Sequence, residues 1–405
     1  MRILNVTPTY SPFFEFGGPP VKVRALSEAL VKRGHRVTVL TADWGLQERT
    51  RGETEEMRAR CAFGWRREEN GVEAIYLRNW ASYRALSWNP GISSFCRARL
   101  WNFDVVHIFG LYDLLGPRVA TACRRGQIPY VVEPIGMLVP IVRNFRLKRM
   151  YHEFLGRPML AGSRFLIATS PQEAAEFAAT GIAAERIVVR RNGVAIPALL
   201  PVRGKFRAKL GLSGDAKLIL FLGRLSEKKS PGLLLEAFSI ACKSLPDSNL
   251  WLVFVGPDDE GMQRRLAQFA AELGTESRVR FYGAIFGDDK WSAYRDADVF
   301  VLPSQNENFG NTAAEAAGAG TPVIVTQNCG IAPLLNGAGL VVPHEAKALA
   351  QAIERVLVEP GLQKRLAVAG SEIASRLDWE QPAAEMDELY SRIALSPKEL
   401  AATRN

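Results

Sequence analysis

Two glutamates, Glu307 and Glu315, stand with seven residues between them in the stretch from Ser304 to Val325. The intervening Asn308, Phe309, Gly310, Asn311 and Thr312 form a small polar run that turns a chain and starts a helix, which Ala313, Ala314, Ala316 and Ala317 continue. The first N–H groups of a helix have no internal partners and carry the positive end of its dipole, so Gly310, Asn311 and Thr312 are suited to hold a phosphate group. Glu315 lies about one turn further in. A carboxylate there repels phosphate, but it can accept hydrogen bonds from two neighbouring hydroxyls such as those of a ribose. Glu307 precedes the turn and points at something else. Two cations, Arg224 and Lys229, follow the strand-like run Leu218 to Leu222. Charge that grows on a departing diphosphate is stabilised by cations held in such a place more in the transition state than in the ground state. Taken singly, each feature is ordinary: an alanine-rich helix with a solvated glutamate, or an arginine in a turn after a strand.

The elements around these residues form a wider pattern. The Ser304 to Val325 run resembles the Glu-x7-Glu signature of retaining glycosyltransferases of family 4 (glycosyl transferases group 1), and Ala317, Gly320, Thr321, Pro322 and Val323 carry that resemblance on. Gly223-Arg224-Leu225 with Lys229, followed by Leu233 to Phe238, resembles the phosphate-binding motif of the same family. Further matching places are Val255-Gly256-Pro257, Val279 to Gly283, Ala297-Asp298-Val299, Leu302-Pro303-Ser304 and Gly330 to Leu335, so the second half is covered nearly end to end and the first more loosely.

The resemblance implies an α/β fold of two facing Rossmann-like domains with parallel sheets, the GT-B architecture, and C-terminal helices. It implies a nucleoside-diphosphate sugar as donor: Glu315 on the ribose, Asn308 and the amides of Phe309, Gly310, Asn311 and Thr312 on the diphosphate and sugar, Glu307 on hydroxyls of the transferred sugar, and Gly283, Ala284 and Ile285 on the base. Gly17 and Gly18 resemble the family's glycine loop beside the sugar and donor phosphate. Arg224, Lys229 and Glu307 would be catalytic, with no protein nucleophile, no cofactor and no metal expected. Two places depart from the family, Phe109 and Ile135 standing where it often has histidine. For an acceptor contact that leaves His107, read otherwise as a buried strand histidine, and Glu133, read otherwise as a structural carboxylate.

At 405 residues with 47% hydrophobic content, the chain is long enough for two domains, placed at 1–200 and 201–405. Residues 1–200 hold 28 Lys+Arg against 17 Asp+Glu, and residues 201–405 hold 23 against 25, so the net charge of +9 belongs to the first half. An anionic partner is implied there. Arg143, Arg146, Lys148 and Arg149, with Arg78, Arg84, Arg97 and Arg99 interleaved with Trp80, Tyr83, Trp88 and Trp101, suit an anionic membrane surface and a glycan or lipid-linked acceptor. A polyanion or nucleic-acid binder is the alternative from another class, but it has no use for Glu315 beside its phosphate site, so nucleic acid is not expected. An epimerase or phosphorylase on the same architecture also stays open. Five scattered cysteines without a CxxC pair argue against disulfides and a zinc site. No apolar run reaches the length of a membrane span, and the first ten residues read as a strand, which predicts a cytoplasmic protein, peripheral at most on the inner face of the membrane.

Buried strands are predicted at Arg2 to Val6, Arg36 to Thr41, Val72 to Leu77, Asp104 to Ile108, Tyr130 to Glu133 and Phe165 to Thr169, with helices at Tyr112 to Arg125, Phe145 to Leu160 and Pro171 to Thr180. Trp44 to Asn70, charged and without a period, reads as a variable loop. The second half restarts with strands at Leu218 to Leu222, Leu250 to Val255, Val279 to Tyr282, Val299 to Leu302, Val323 to Val325 and Leu340 to Val342. It then turns largely helical from Lys347 to Ile393, with breaks at Pro360-Gly361 and near Asp378 to Pro382. Asp296 and Asp298 form an Asp-x-Asp that reads better as capping than as metal ligation.

Overall fold

The computed structural model describes residues 1–51, 58–83, 86–138, 149–258 and 261–394. The chain forms two compact units: Met1–Gly193 with the segment from Trp379 onward, and Val194–Asp378.

The first unit is built on a nine-stranded sheet. Its strands are β1 (Arg2–Val6), β2 (Arg36–Ala42), β3 (Arg58–Cys61), β4 (Gly64–Glu69), β5 (Val72–Leu77), β8 (Val105–Phe109), β9 (Tyr130–Glu133), β10 (Leu166–Ala168) and β11 (Ile187–Val189). A separate hairpin pairs β6 (Ala81–Tyr83) with β7 (Leu86–Trp88). The sheet order is β11-β10-β9-β8-β1-β2-β5-β4-β3, parallel from β11 to β5 and antiparallel over the last two pairs. β1, β2, β5 and β8 are apolar runs buried on both faces, which is what a parallel sheet covered by helices demands. The 44–70 stretch corrects the loop expected there. Leu46–Arg49 makes a helical turn, and β3 and β4 extend the sheet antiparallel. Their dense charges had hidden an edge, where one face meets water and the guanidinium groups of Arg58 and Arg60 stack on Trp65. The helix expected from Tyr112 starts at Leu115, because Tyr112 itself is left-handed with φ 62°.

The second unit has six parallel strands: β12 (Lys217–Leu222), β13 (Leu250–Val255), β14 (Val279–Tyr282), β15 (Val299–Leu302), β16 (Val323–Thr326) and β17 (Leu340–Val342), in the order β14-β13-β12-β15-β16-β17. The chain therefore reverses its direction of winding between β12 and β15, and in open α/β sheets ligands bind outside the carboxyl ends of the strands at such a point. Asp296 and Asp298 lie at the opposite ends of the strands and are structural. Asp296 accepts from the backbone N–H groups of Gly204, Phe206 and Arg207, and Asp298 from Leu218 N and the Arg207 guanidinium.

The helix Glu380–Ile393 departs from the expected division, which assigned it to the second domain. Its buried face, Ala383, Met386, Leu389 and Tyr390, joins Ile3, Val39, Val105 and Ile167 in the first unit's core, and Asp387 bonds Arg33 and His35. No helix among the described residues is long and apolar enough to cross a membrane.

Candidate active site

At the carboxyl end of β12 the chain enters Gly223, whose carbonyl oxygen would lie 2.0 Å from a Cβ on Gly256, the first residue after β13. Only glycine permits that approach. It brings the two turns together, and Leu225 N then bonds Pro257 O at 3.0 Å and buries its side chain, leaving Arg224 exposed between them. The Glu227–Lys229 turn follows. The Lys229 side chain runs beside Gly223, and its ammonium meets Glu307 Oε2 at 2.5 Å. Gln305 N donates to Lys228 O and Lys228 Nζ to Asn308 Oδ1, so the turn after β12 and the loop after β15 are laced together.

Glu307 is held by its backbone: its N–H bonds Asn328 O and its carbonyl accepts from Gly330 N. Phe309 is buried in the core, so its side chain anchors the loop and only its backbone is left for a ligand. Its carbonyl accepts from Ile331 N. Gly310 is left-handed at φ 105° and starts the helix Asn311–Gly318, whose Ala313, Ala314, Ala316 and Ala317 pack inward. No side chain caps this helix. Close by, the buried hydroxyls of Ser304 and Thr312 have no hydrogen-bond partner among the described residues, polar capacity that a ligand can use.

One helical turn in, Glu315 accepts from Lys290 Nζ at 2.8 Å and from Tyr294 OH at 2.8 Å. Both donors come from the helix Gly287–Asp296, four residues apart, and sequence reasoning missed them. Burial and then the neighbouring Glu315 charge push the Tyr294 phenol well above its ordinary value, so it stays a donor. Each Glu315 oxygen keeps lone-pair capacity for a further hydroxyl. Gly283, Ala284 and Ile285 follow β14, the first two exposed.

In the first unit the outcome differs. Gly17 (φ 94°, ψ −143°) opens the helix Gly18–Lys32 with a conformation that suits glycine, so the pair does form a turn after β1. Glu133 and His107, candidates for acceptor contact, are instead fully buried. Glu133 is bonded by Lys22 and Arg190, both buried, and lies 3.5 Å from His107 Nε2. His107 Nδ1 lies 2.7 Å from the Tyr390 hydroxyl, and its ring stacks on Phe109. Neither residue reaches a surface. Burial alone would raise the Glu133 carboxyl, but Arg190 and Lys22 overcome it and hold the group at about 2. Burial lowers Lys22 to about 8 and His107 to about 3.

Two further features of this unit were not foreseen. Ile135 is left-handed at φ 52°, rare for a β-branched residue, and buried Glu173 braces the next residue by accepting Gly136 N at 2.8 Å. Arg149 is exposed, while Arg143, Arg146 and Lys148 lie outside the described residues.

Comparison with known proteins gives a consistent picture. Residues 202–372 match the family of glycosyl transferases group 1, and residues 17–193 match the glycosyl transferase 4-like domain. A D-inositol 3-phosphate glycosyltransferase of Streptomyces bingchenggensis is 34% identical over 237 residues, 56% of this chain and 52% of that protein. The chain spans about half the length of the first such relatives it matches. An uncharacterized glycosyltransferase of Methanocaldococcus jannaschii is 27% identical, with 96% of this chain and 98% of that protein covered. Among solved structures, Anabaena HepE in complex with UDP and glucose superposes with a TM-score of 0.75 at 20% identity, over 97% of this chain and 100% of that one. Sucrose-phosphate synthase from Thermosynechococcus elongatus gives 0.72 at 23% identity, over 97% and 98%. At these identities the structures establish a shared fold.

Proposed function

Because the chain belongs to the group 1 glycosyltransferases of the GT-B fold, we propose that it moves a sugar from a nucleoside-diphosphate sugar to a glycan or lipid-linked acceptor, with retention at the anomeric carbon, in cell-surface polysaccharide synthesis. One observation carries the reading. Two partly exposed ion pairs, Lys229–Glu307 and Lys290–Glu315, flank an uncapped helix start at the winding reversal of the second sheet. The neighbouring HepE structures with UDP and with UDP-glucose support the donor class.

In this reading the start of the Asn311–Gly318 helix, with Arg224 and Lys229, binds the diphosphate. Glu315 takes the ribose hydroxyls, Glu307 those of the sugar, and Gly283 to Ile285 the base. The bond from the anomeric carbon to the phosphate oxygen breaks with its electron pair going to the diphosphate, where the two cations stabilise the charge. The acceptor oxygen bonds the same face of the carbon, and its proton passes to the departing diphosphate. No protein nucleophile takes part. The cations provide the charge that a metal ion would otherwise supply, so turnover is metal-independent.

The acceptor reading rests on the first unit's surface. Trp80 and Trp88 on the small hairpin are exposed, with the Arg118 guanidinium over the Trp88 ring, and Met150 and Phe154 are exposed near Arg149 and Arg157 in the chain. Rings beside cations fit an anionic lipid interface, where each basic side chain adds about 1 kcal/mol.

Thermal shift with UDP-, GDP- and ADP-sugars tests the donor reading: one nucleotide series raises Tm, and a flat response to all three overturns it. Flotation with anionic vesicles tests the surface. Binding that weakens with salt, and falls when Arg146, Lys148 and Arg149 become Ser, is expected; protein left in the soluble fraction at low salt sinks membrane docking.

A further inference from the structure

Ser230 follows Lys229 directly and stands in the left-handed region at φ 49°, ψ 48°. Among the described residues of the second unit it is the only one with positive φ that is not a glycine. Its place explains the demand. Ser230 closes the turn that carries Lys229, and it opens the helix Pro231–Ser244, whose leading proline disfavours a right-handed helical residue before it. A left-handed residue there reverses the chain within one step, so the Lys229 side chain is sent back along Gly223 toward Glu307 while Pro231 leads away. A residue with a Cβ does not hold this conformation for nothing, and such strain persists where surroundings enforce it.

Within its own loop the Ser230 hydroxyl reaches Glu227 O at a long 3.4 Å, and the closer contact comes from outside the loop. His344 Nε2 lies 2.9 Å from Ser230 Oγ. His344 sits between β17 and the helix Ala346–Val358, braced by Glu345 N bonding Pro343 O. That helix packs against Pro231–Ser244, with Leu349, Ile353 and Val356 in the same core as Leu234, Leu235 and Phe238. The imidazole therefore stands on a platform separate from Arg224 and Glu307.

We propose that His344 is a positioning residue: by holding the Ser230 hydroxyl it keeps that residue left-handed and so aims the Lys229 ammonium at the diphosphate subsite. The inference rests on the role given to Lys229 above. Glycine adopts the left-handed region without support, which gives a specific rescue.

His344→Ala is expected to lower kcat/KM for the donor about tenfold, the scale of one strained residue released. Adding Ser230→Gly to His344→Ala should return most of that loss. Turnover is measured with UDP-, GDP- and ADP-glucose, alongside crystal structures of both variants. Full activity in His344→Ala overturns the proposal, as does a double variant no better than His344→Ala, since a merely structural histidine is not replaced by a glycine elsewhere. If the wild type uses none of these donors, the functional reading fails separately. The crystal structures still decide the positioning: Ser230 leaves positive φ and Lys229 parts from Glu307 in His344→Ala and not in the double variant, or the proposal falls.

Discussion

Both sheets carry carboxylates among cations where parallel strands end, yet the two groups are of different kinds. In the second unit the Lys229, Glu307 and Lys290 side chains are 20–21% exposed and Glu315 14%. In the first, Glu133 and Arg190 are fully buried and Lys22 is 2% exposed. A partly hydrated pair gives up its partner at small cost, because water and an incoming phosphate or hydroxyl replace what is lost. A dry pair cannot, since removing either member strands a charge in low dielectric. The residue types are alike in the two groups; what separates them is hydration.

The largest expected effect tests the scaffold side. Glu133→Ala leaves Lys22 and Arg190 buried without their anion and should destabilise the first unit by about 3–5 kcal/mol, read as a drop in its denaturation midpoint. A variant of native stability would show that water already reaches the cluster. Next comes the binding side: Arg224→Ala should fold normally and lose about 10²-fold or more in kcat. An unchanged kcat in a folded protein removes Arg224 from the site.

The third test concerns pH. His107 is held at about 3 in the fold, against about 6.5 in the unfolded chain, so the unfolded state takes up the proton first on acidification. The stability linked to this residue is intact above about pH 6.5 and is lost as pH falls toward 3, a loss of roughly 2 kcal/mol between pH 7 and 5. Glu133, at about 2, adds a further loss below about pH 4.5 in the same direction. Urea titrations at both pH values should show a smaller loss in His107→Gln, and equal losses would mean that the imidazole is hydrated. The smallest expected effect is none: EDTA should leave turnover unchanged, and a collapse restored by Mg²⁺ would show that Arg224 and Lys229 do not suffice.

Much of the second unit was legible because its strands are buried apolar runs closed by glycine or proline, as Leu218 to Leu222 before Gly223 and Leu250 to Val255 before Gly256. The turn and helix around Glu307 and Glu315 were legible for the same local reason. Long-range partners were not. Lys22 and Arg190 reach Glu133 across 111 and 57 residues, and no local pattern announces that meeting. Lys290 and Tyr294 look like one face of any surface helix until Glu315 is placed against them. The stretch up to Ile393 was read as helical, but nothing local said which core would receive the Glu380–Ile393 helix.

That last helix has a consequence for how the protein is made. Residues 194–378 leave the ribosome before Met386, Leu389 and Tyr390, which complete the first unit's core and give His107 its phenol partner. Domains generally close as units during synthesis, the N-terminal one first. Here the second unit has its whole sequence in hand while the earlier-made sheet still waits for its final helix, its apolar floor open to chaperones or to a neighbouring nascent chain.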